Sequence, residues 1–455
     1  MSINFKKIAA SALVSCGLAA AAFAEAAPAT LTVEAAVDAA LRNNLGVKSA
    51  VIQERIKKRA SEFSFNKFYP TLSGTATINK ANDPSPVTVP YSTSPMATPY
   101  GTMYDHVLQV TPDPVTDVLG YTIQEVFSPV YVGMMYQSAI DWQASKISRA
   151  KAEKQMSAAV RKFFYQLIVQ KEAIALTQAR LDNANERLRQ ARISYELGQG
   201  NELNYMYAKA NVEGIIPDLR SMETSRVLAL TKFQEMLGFD KNEDMQLAGS
   251  LDDEKTVSPD DLAIKGARFD VNESDITVKQ LKSAVGLQGL VFLPNLILQY
   301  SDGAMLNGPT GDTLFKKDSW TQSSSAGVSL TLSWNVTGLI PGSDTQVKMA
   351  ELNDQLALAK ESAEQTARNA MHDEENQKRQ IADSIAKIDN LKNVVDATHR
   401  SYELTDASYK AGVGRYLDLQ SAELSWQGAQ IQLLNEKLNL LSLVFDFEAK
   451  YNTGK

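Results

Sequence analysis

Two periods alternate along this chain. A seven-residue apolar spacing runs through two long stretches, and strict two-residue alternation marks short ones. Leu167, Ile174, Leu181, Leu188 and Tyr195 recur every seven residues. At a constant offset of 214 residues, Ile381, Ile388, Val395, Tyr402 and Tyr409 repeat the register. Seven-residue spacing marks the buried seam of packed helices. Each seam runs into a segment that the chain carries twice. One copy is Ser194-Tyr195-Glu196-Leu197-Gly198-Gln199-Gly200-Asn201-Glu202-Leu203-Asn204, then Ala208; the other is Ser408-Tyr409-Lys410-Ala411-Gly412-Val413-Gly414-Arg415-Tyr416-Leu417-Asp418, then Ala422. Paired glycines let the backbone pass through positive φ and start back. The pattern therefore predicts a long helical hairpin in each half, with the glycine segment at its tip. A repeat of this length is a duplication, and it sets the architecture.

The same order of elements is legible in both halves. Leu31 to about Phe68 reads as one helix, with Thr32 as N-cap, Glu34 favourable in the first turn, and Pro70 as the stop. The period then drops to two. Leu72, Gly74, Ala76 and Ile78 alternate with Thr and Ser from Thr71 to Lys80, which predicts a strand with one apolar face. Seven prolines between residues 84 and 114 predict a loop over Ala81 to Val115. A second strand is expected from Val118 to Phe127, its apolar face broken by Glu125. Met135 to Leu197 contains no proline or glycine and predicts a helix of about 95 Å. Its return runs from Leu203 to Leu237, with a kink expected at Pro217. In the second half a helix is expected over 262–292, a strand over 295–301, a Gly- and Asp-rich loop, and a strand at Val328 to Val336. The long helix then covers 344–410 and its return 416–451. Domain boundaries follow: a leader at 1–24, a first repeat at 25–238, a linker at 239–260 and a second repeat at 261–455.

Alternating strands of about ten residues are the unit of a membrane barrel. Tyr69, Tyr121, Tyr300, Trp320 and Trp334 lie near strand ends, where aromatic girdles sit. Four strands cannot close on themselves, and lipid does not tolerate open edges. Two chains would make a plugged eight-stranded barrel; three would give twelve strands and a lumen.

Composition changes this picture little. The chain has 455 residues and a net charge of −7, which argues against nucleic acid as a partner. Lys6 and Lys7, the apolar run to Phe23 and Ala22-Phe23-Ala24 read as an export leader. Lipidation at Cys16 is the alternative. Cys16 is the only cysteine, so a chain cleaved after Ala24 has no disulfide and no thiolate chemistry. The three histidines are far apart in sequence. There is no phosphate loop and no His-Glu-x-x-His, and Gly198-x-Gly200 follows a helix rather than a strand. No catalytic residue, cofactor or metal site is expected.

The opening Leu31-Thr32-Val33-Glu34-Ala35-Ala36-Val37, the Phe-x-Pro-x-Leu lead into the first strand, echoed as Phe292-Leu293-Pro294-Asn295-Leu296, and the doubled Tyr-x-x-Gly tip carry a resemblance. The chain resembles the TolC-type outer-membrane factors, the exit ducts of efflux pumps and type I secretion systems. The resemblance implies a mainly α fold with a membrane β-barrel portion. It implies a homotrimer with a twelve-strand barrel in outer-membrane lipid and a twelve-helix periplasmic tunnel. A periplasmic adaptor protein and an inner-membrane transporter are the implied partners. Gly198, Gly200, Leu203, Gly412, Gly414 and Leu417 would form the adaptor-docking tips. Tyr409 matches a latch tyrosine and Asp418 a constriction aspartate. Asn204 and Ser421 stand where further aspartates can occur, and Gly414 stands where a latch arginine can, with Arg415 beside it. The pore constriction is therefore expected at Asp418, Tyr409, Arg415 and Asn204, with one carboxylate per chain. The plainer reading of Asp418 is a helix-dipole charge worth about 0.3–1 kcal/mol. The rival to a duct is a non-conducting coiled-coil spacer or adhesin.

Overall fold

The computed structural model describes residues 30–80, 86–91, 96–98, 101–103, 106–110, 115–240, 245–251, 266–307, 320–322 and 326–452. The leader, most of the 239–260 segment and the loop glycines 308 and 311 lie outside the described residues. The protein is predominantly helical. The chain forms two compact units, each assembled from both halves of the sequence.

One unit comprises residues 56–143 and 275–362 and holds the sheet. Strands β2 (Thr71–Lys80), β7 (Val115–Phe127) and β10 (Asn295–Asn307) pair antiparallel in that order. Beyond β10 lie β11 (Trp320–Gln322) and β12 (Gly327–Ser333), which pair with successive parts of its far edge. They occupy one strand position, so the sheet has the four positions the alternation predicts. It is open: β2 and the β11/β12 position are its edges. Register aligns apolar positions into rows, among them Leu72–Ile123–Tyr300–Val328 and Phe127–Leu296–Leu332. Leu72, Val328, Leu330 and Leu332 are each about two-thirds or more exposed. The Trp334 indole N–H donates to the Phe292 carbonyl at 3.0 Å, tying the end of one strand position to the start of its neighbour.

The loop predicted from 81 to 115 contains paired strands. Strands β3 (Val87–Tyr91) and β6 (His106–Val110) pair antiparallel, as do β4 (Met96–Thr98) and β5 (Gly101–Met103). Pro90 sits in β3, where a two-stranded ribbon leaves one backbone edge free and a missing N–H costs little.

The other unit comprises residues up to 55, 144–274 and 363 onward. Helix α3 (Pro129–Glu196) starts at a proline, the residue suited to a first helical position, and contributes its later turns here. It returns as α4 (Glu202–Leu237), whose helix continues through Pro217. Helix α6 (Asp344–Lys410) returns as α7 (Tyr416–Ala449). The predicted first helix breaks at Asn44 into α1 (Val33–Asn43) and α2 (Leu45–Glu62). Asn44 donates to the Met236 carbonyl and accepts from the Gly46 N–H, local bonds that compete with a continuous helix. In the second half the helix corresponding to the predicted 262–292 segment is α5 (Phe269–Leu290).

The heptads lie in the core. Leu167, Ile381 and Ile388 are buried, and Leu181 and Leu188 pack on the buried Ala184, Val212 and Ile215. Tyr195, the last position of the first seam, is 41% exposed. The largest cluster gathers Ala36 and Ala40 of α1, Val160, Phe164 and Leu167 of α3, and Phe233 and Leu237 of α4. Two short strand pairs close the unit. Strand β1 (Thr30–Leu31) pairs with β8 (Gln246–Leu247), and β9 (Ala267–Arg268) with β13 (Tyr451–Asn452). Among the described residues no helix is long and apolar enough to cross a membrane.

Candidate functional site: the hairpin tips

The tip sequence Ser-Tyr-x-x-Gly-x-Gly folds the same way twice. The Ser194 carbonyl accepts from Gln199 N–H at 2.9 Å and Gly200 N–H at 2.8 Å, and Tyr195 carbonyl from Gly198 N–H at 3.0 Å. The Ser408 carbonyl accepts from Val413 at 3.2 Å and Gly414 at 3.0 Å, and Tyr409 carbonyl from Gly412 at 2.9 Å. These bonds satisfy the last carbonyls of each helix. The two glycines do different work. Gly198 and Gly412 have φ of 71° and 80°, in the left-handed region that an L side chain rarely adopts. Gly200 and Gly414 are needed for space: a Cβ there would come within 2.9 Å of Ser194 Cβ and 2.8 Å of Tyr409 N.

The chain then restarts as helix. The Asn201 side chain accepts from Leu203 N–H at 2.9 Å and caps α4. At α7 the N-cap position is Arg415, which makes no side-chain cap bond, and Asp418 supplies a negative charge to the first turn. Leu197, Leu203, Val413 and Leu417 are exposed around the turns, by 66, 52, 80 and 39%.

Asp418 is exposed and opens onto a groove of about 290 Å³ between α6 and α7. Hydroxyls surround it: Thr398, Ser401, Thr405, Ser421 and Ser425. Asn204, Tyr409 and Arg415 do not line this groove. Asn204 and Arg415 are exposed at the starts of their own return helices. Tyr409 packs edge-on against Tyr416 at 5.9 Å, and burial pushes its phenol above the ordinary range.

The strongest polar contact near the tips is one the sequence reading did not single out. Arg187 of α3 donates to Glu423 of α7 at 2.5 Å and to the Tyr402 hydroxyl of α6 at 3.0 Å. The Arg187 and Glu423 side chains are only 10% and 6% exposed. Burial alone would lower the guanidinium pKa, but the Glu423 carboxylate outweighs it and raises it. Trp426 stacks on the Tyr402 ring at 5.1 Å, with His399 beside it at 4.5 Å. Above and below, Arg180 and Thr177 bond Gln427 at 3.3 Å each, and Gln420 donates to the buried Asn211 at 2.8 Å. Arg180 and Arg187 sit beside heptad positions, where a seam count passes over them, and Tyr402 occupies one, where its hydroxyl goes uncounted.

Residues 263–443 match the protein-family model described as outer membrane efflux protein. The comparison with curated proteins gives no match. Among solved structures, the Campylobacter jejuni CmeC outer membrane channel superposes with a TM-score of 0.70 at 18% identity, over 93% of this chain and 87% of that one. The open-state Neisseria gonorrhoeae MtrE outer membrane channel gives 0.69 at 19% identity, over 93% and 89%. The Vibrio cholerae outer membrane protein VceC gives 0.67 at 14% identity, over 92% and 96%. The family match covers residues 263–443, in the second half of the chain, and the fold is shared with these outer membrane channels.

Proposed function

We propose that this protein is a passive exit duct of the outer membrane, serving a tripartite efflux pump or a type I secretion system. It is a channel rather than an enzyme, and it extends from the outer membrane into the periplasm. The observation that carries this reading is the open sheet of four strand positions, with exposed apolar rows and two unpaired edges. Unsatisfied edges are costly in lipid. Three copies, pairing β2 of one with the β11/β12 position of the next, would close twelve strands around a lumen. Twelve helices would continue the conduit, and a periplasmic adaptor and an inner-membrane transporter would engage the tips. The 214-residue offset makes 25–238 and 261–455 two structural repeats joined by a linker.

Three copies bring three Asp418 carboxylates toward one axis. Like charges converging in a narrow pore attract cations and repel anions. Purified protein in planar bilayers should conduct, and divalent cations should block the current. Asp418→Ala should weaken that block severalfold while leaving the channel assembled. An unchanged block would remove Asp418 from the constriction, and protein that never conducts would favour a coiled-coil spacer.

A further inference from the structure

The two strand pairs begin at corners of the same build. Phe68-Tyr69-Pro70 leads into β2, and Phe292-Leu293-Pro294 leads into β10. Thr71 pairs with Gln124, and continuing that register sets Pro70 beside Glu125. Asn295 pairs with Ser333, and the same step sets Pro294 beside Trp334. Glu125 and Trp334 are therefore equivalent places in the two halves. The second corner is closed and uncharged. The Trp334 indole donates to the Phe292 carbonyl, and Val291 stands just before Phe292. A tryptophan at a strand end marks the headgroup level of a membrane, so Glu125 stands at that level too.

The first corner is charged. Glu125 occupies the place of the tryptophan, and Lys67 the place of Val291. Strand pairing sets Glu125 in a row with Leu298 and Leu330, between the rows of Phe127 and Ile123 on the apolar face. Polar rows such as Gln124–Gln299–Ser329 lie on the opposite face. Glu125 is half-buried and Lys67 is exposed. The turn that carries Lys67, Ser64–Phe68, packs against β7. Among the described residues neither side chain makes an ion pair or a hydrogen bond, with the other or with any third group. Beside Lys67, Phe65 and Tyr69 are exposed and meet edge-on at 5.6 Å. An ionised carboxylate set against hydrocarbon is costly until a cation meets it.

We propose that this corner holds a phospholipid of the periplasmic leaflet whose headgroup carries a primary amine, the chemistry of phosphatidylethanolamine. The Glu125 carboxylate takes the ammonium, and Lys67 takes the phosphate. Two unpaired charges of opposite sign complement a zwitterion rather than an anion. A primary ammonium offers N–H donors to a carboxylate, whereas a quaternary choline offers none. The second corner, with Trp334 and Val291, has no such pair of charges. The site rests on the membrane reading proposed above and goes beyond it by naming the lipid and the residues that select it.

The test mixes detergent-purified protein with equal amounts of phosphatidylethanolamine, phosphatidylcholine and phosphatidylglycerol of the same acyl chains. Retained lipids are counted by native mass spectrometry. The ethanolamine lipid should be retained severalfold over the choline lipid. Glu125→Gln should abolish that preference, and Glu125→Asp should keep most of it. Lys67→Gln should weaken retention of both lipids alike, because both carry the phosphate. If wild-type protein conducts in planar bilayers yet shows no preference, the site is overturned while the duct reading stands. A preference for the glycerol lipid over the other two marks an anion site and overturns this one, as does a Glu125→Gln variant that still selects ethanolamine. Protein that neither conducts nor retains lipid overturns both readings.

Discussion

Each half of the chain fastens a strand laid down before its first helix to a strand that follows its return helix. The first half does this with hydrocarbon. Leu31 and Leu247 are 2% and 6% exposed and share a cluster with Phe164, Phe233 and Leu237. The second half adds charge to a smaller apolar cluster of Ile381, Val444, Phe447 and Tyr451. Arg268 bonds Asp270 at 2.7 Å, Asp373 at 3.0 Å and the Ala370 carbonyl at 2.7 Å, and lies over the Tyr451 ring. Lys450 reaches the same Asp373 at 2.6 Å, and the Tyr451 hydroxyl donates to Glu374 at 2.8 Å. The same fastening is thus made twice, as a parallel pair held by hydrocarbon and an antiparallel pair strapped by charge. Hydrocarbon burial is non-directional and insensitive to pH; the charged strap is directional and titrates.

The largest difference should come from Leu31→Ala, which leaves a cavity in a packed cluster and should cost about 2–5 kcal/mol of unfolding free energy. That loss should be equal at pH 7 and pH 4 in denaturant titrations; a strongly pH-dependent loss would break the contrast. The tips offer a sharper test of equivalence between the halves. Gly198→Ala and Gly412→Ala each force an L residue into left-handed backbone, at about 1–2 kcal/mol. The two losses should match in thermal unfolding, because the two turns share their hydrogen bonds; unequal losses would show that the turns are only superficially alike.

Acid should have the smallest effect, and only on the second strap. Burial alone would raise the Asp373 and Asp270 carboxyls. Lys450 and Arg268 hold Asp373, and Arg268 holds Asp270, below the ordinary carboxylate range instead. Depressed carboxyls contribute stability that is complete above their unfolded pKa and is lost as pH falls through the folded one. Asp373 and Asp270 are each 43% exposed, so solvent screening keeps the contribution modest. Amide exchange at Tyr451 should therefore accelerate relative to Leu247 when intrinsic rates are corrected and pH drops from 7 to 3. Equal protection at both pH values would mean that the ion pairs do not hold β13.

Much of the fold was legible because periodicity is a local signal. The strand at Thr71–Lys80 and the long helix at Asp344–Lys410 begin and end where the alternation, prolines and glycines place them. Local signals misled where bonding was decided elsewhere. Asn44 interrupts the first helix by reaching Met236, 192 residues away. The prolines between 84 and 114 hid two strand pairs, because a ribbon tolerates a missing donor on its free edge. At the tips the glycine pattern identified the turn and both roles became clear only with coordinates. Of the Arg187–Glu423–Tyr402 cluster only Tyr402 was legible, as a seam position, since the cluster joins three helices through residues 215 and 236 positions apart.

The tip turns are closed by backbone bonds to Ser194 and Ser408, and glycines alone satisfy their conformational demands. The side chains of Leu197, Gln199, Val413 and Arg415 take no part in those backbone bonds and face water. Their chemistry can be rewritten without disturbing the bend that presents them. The tips thus carry a rigid mount with exchangeable lettering, and in the proposed duct the choice of partner would be retuned one outward residue at a time.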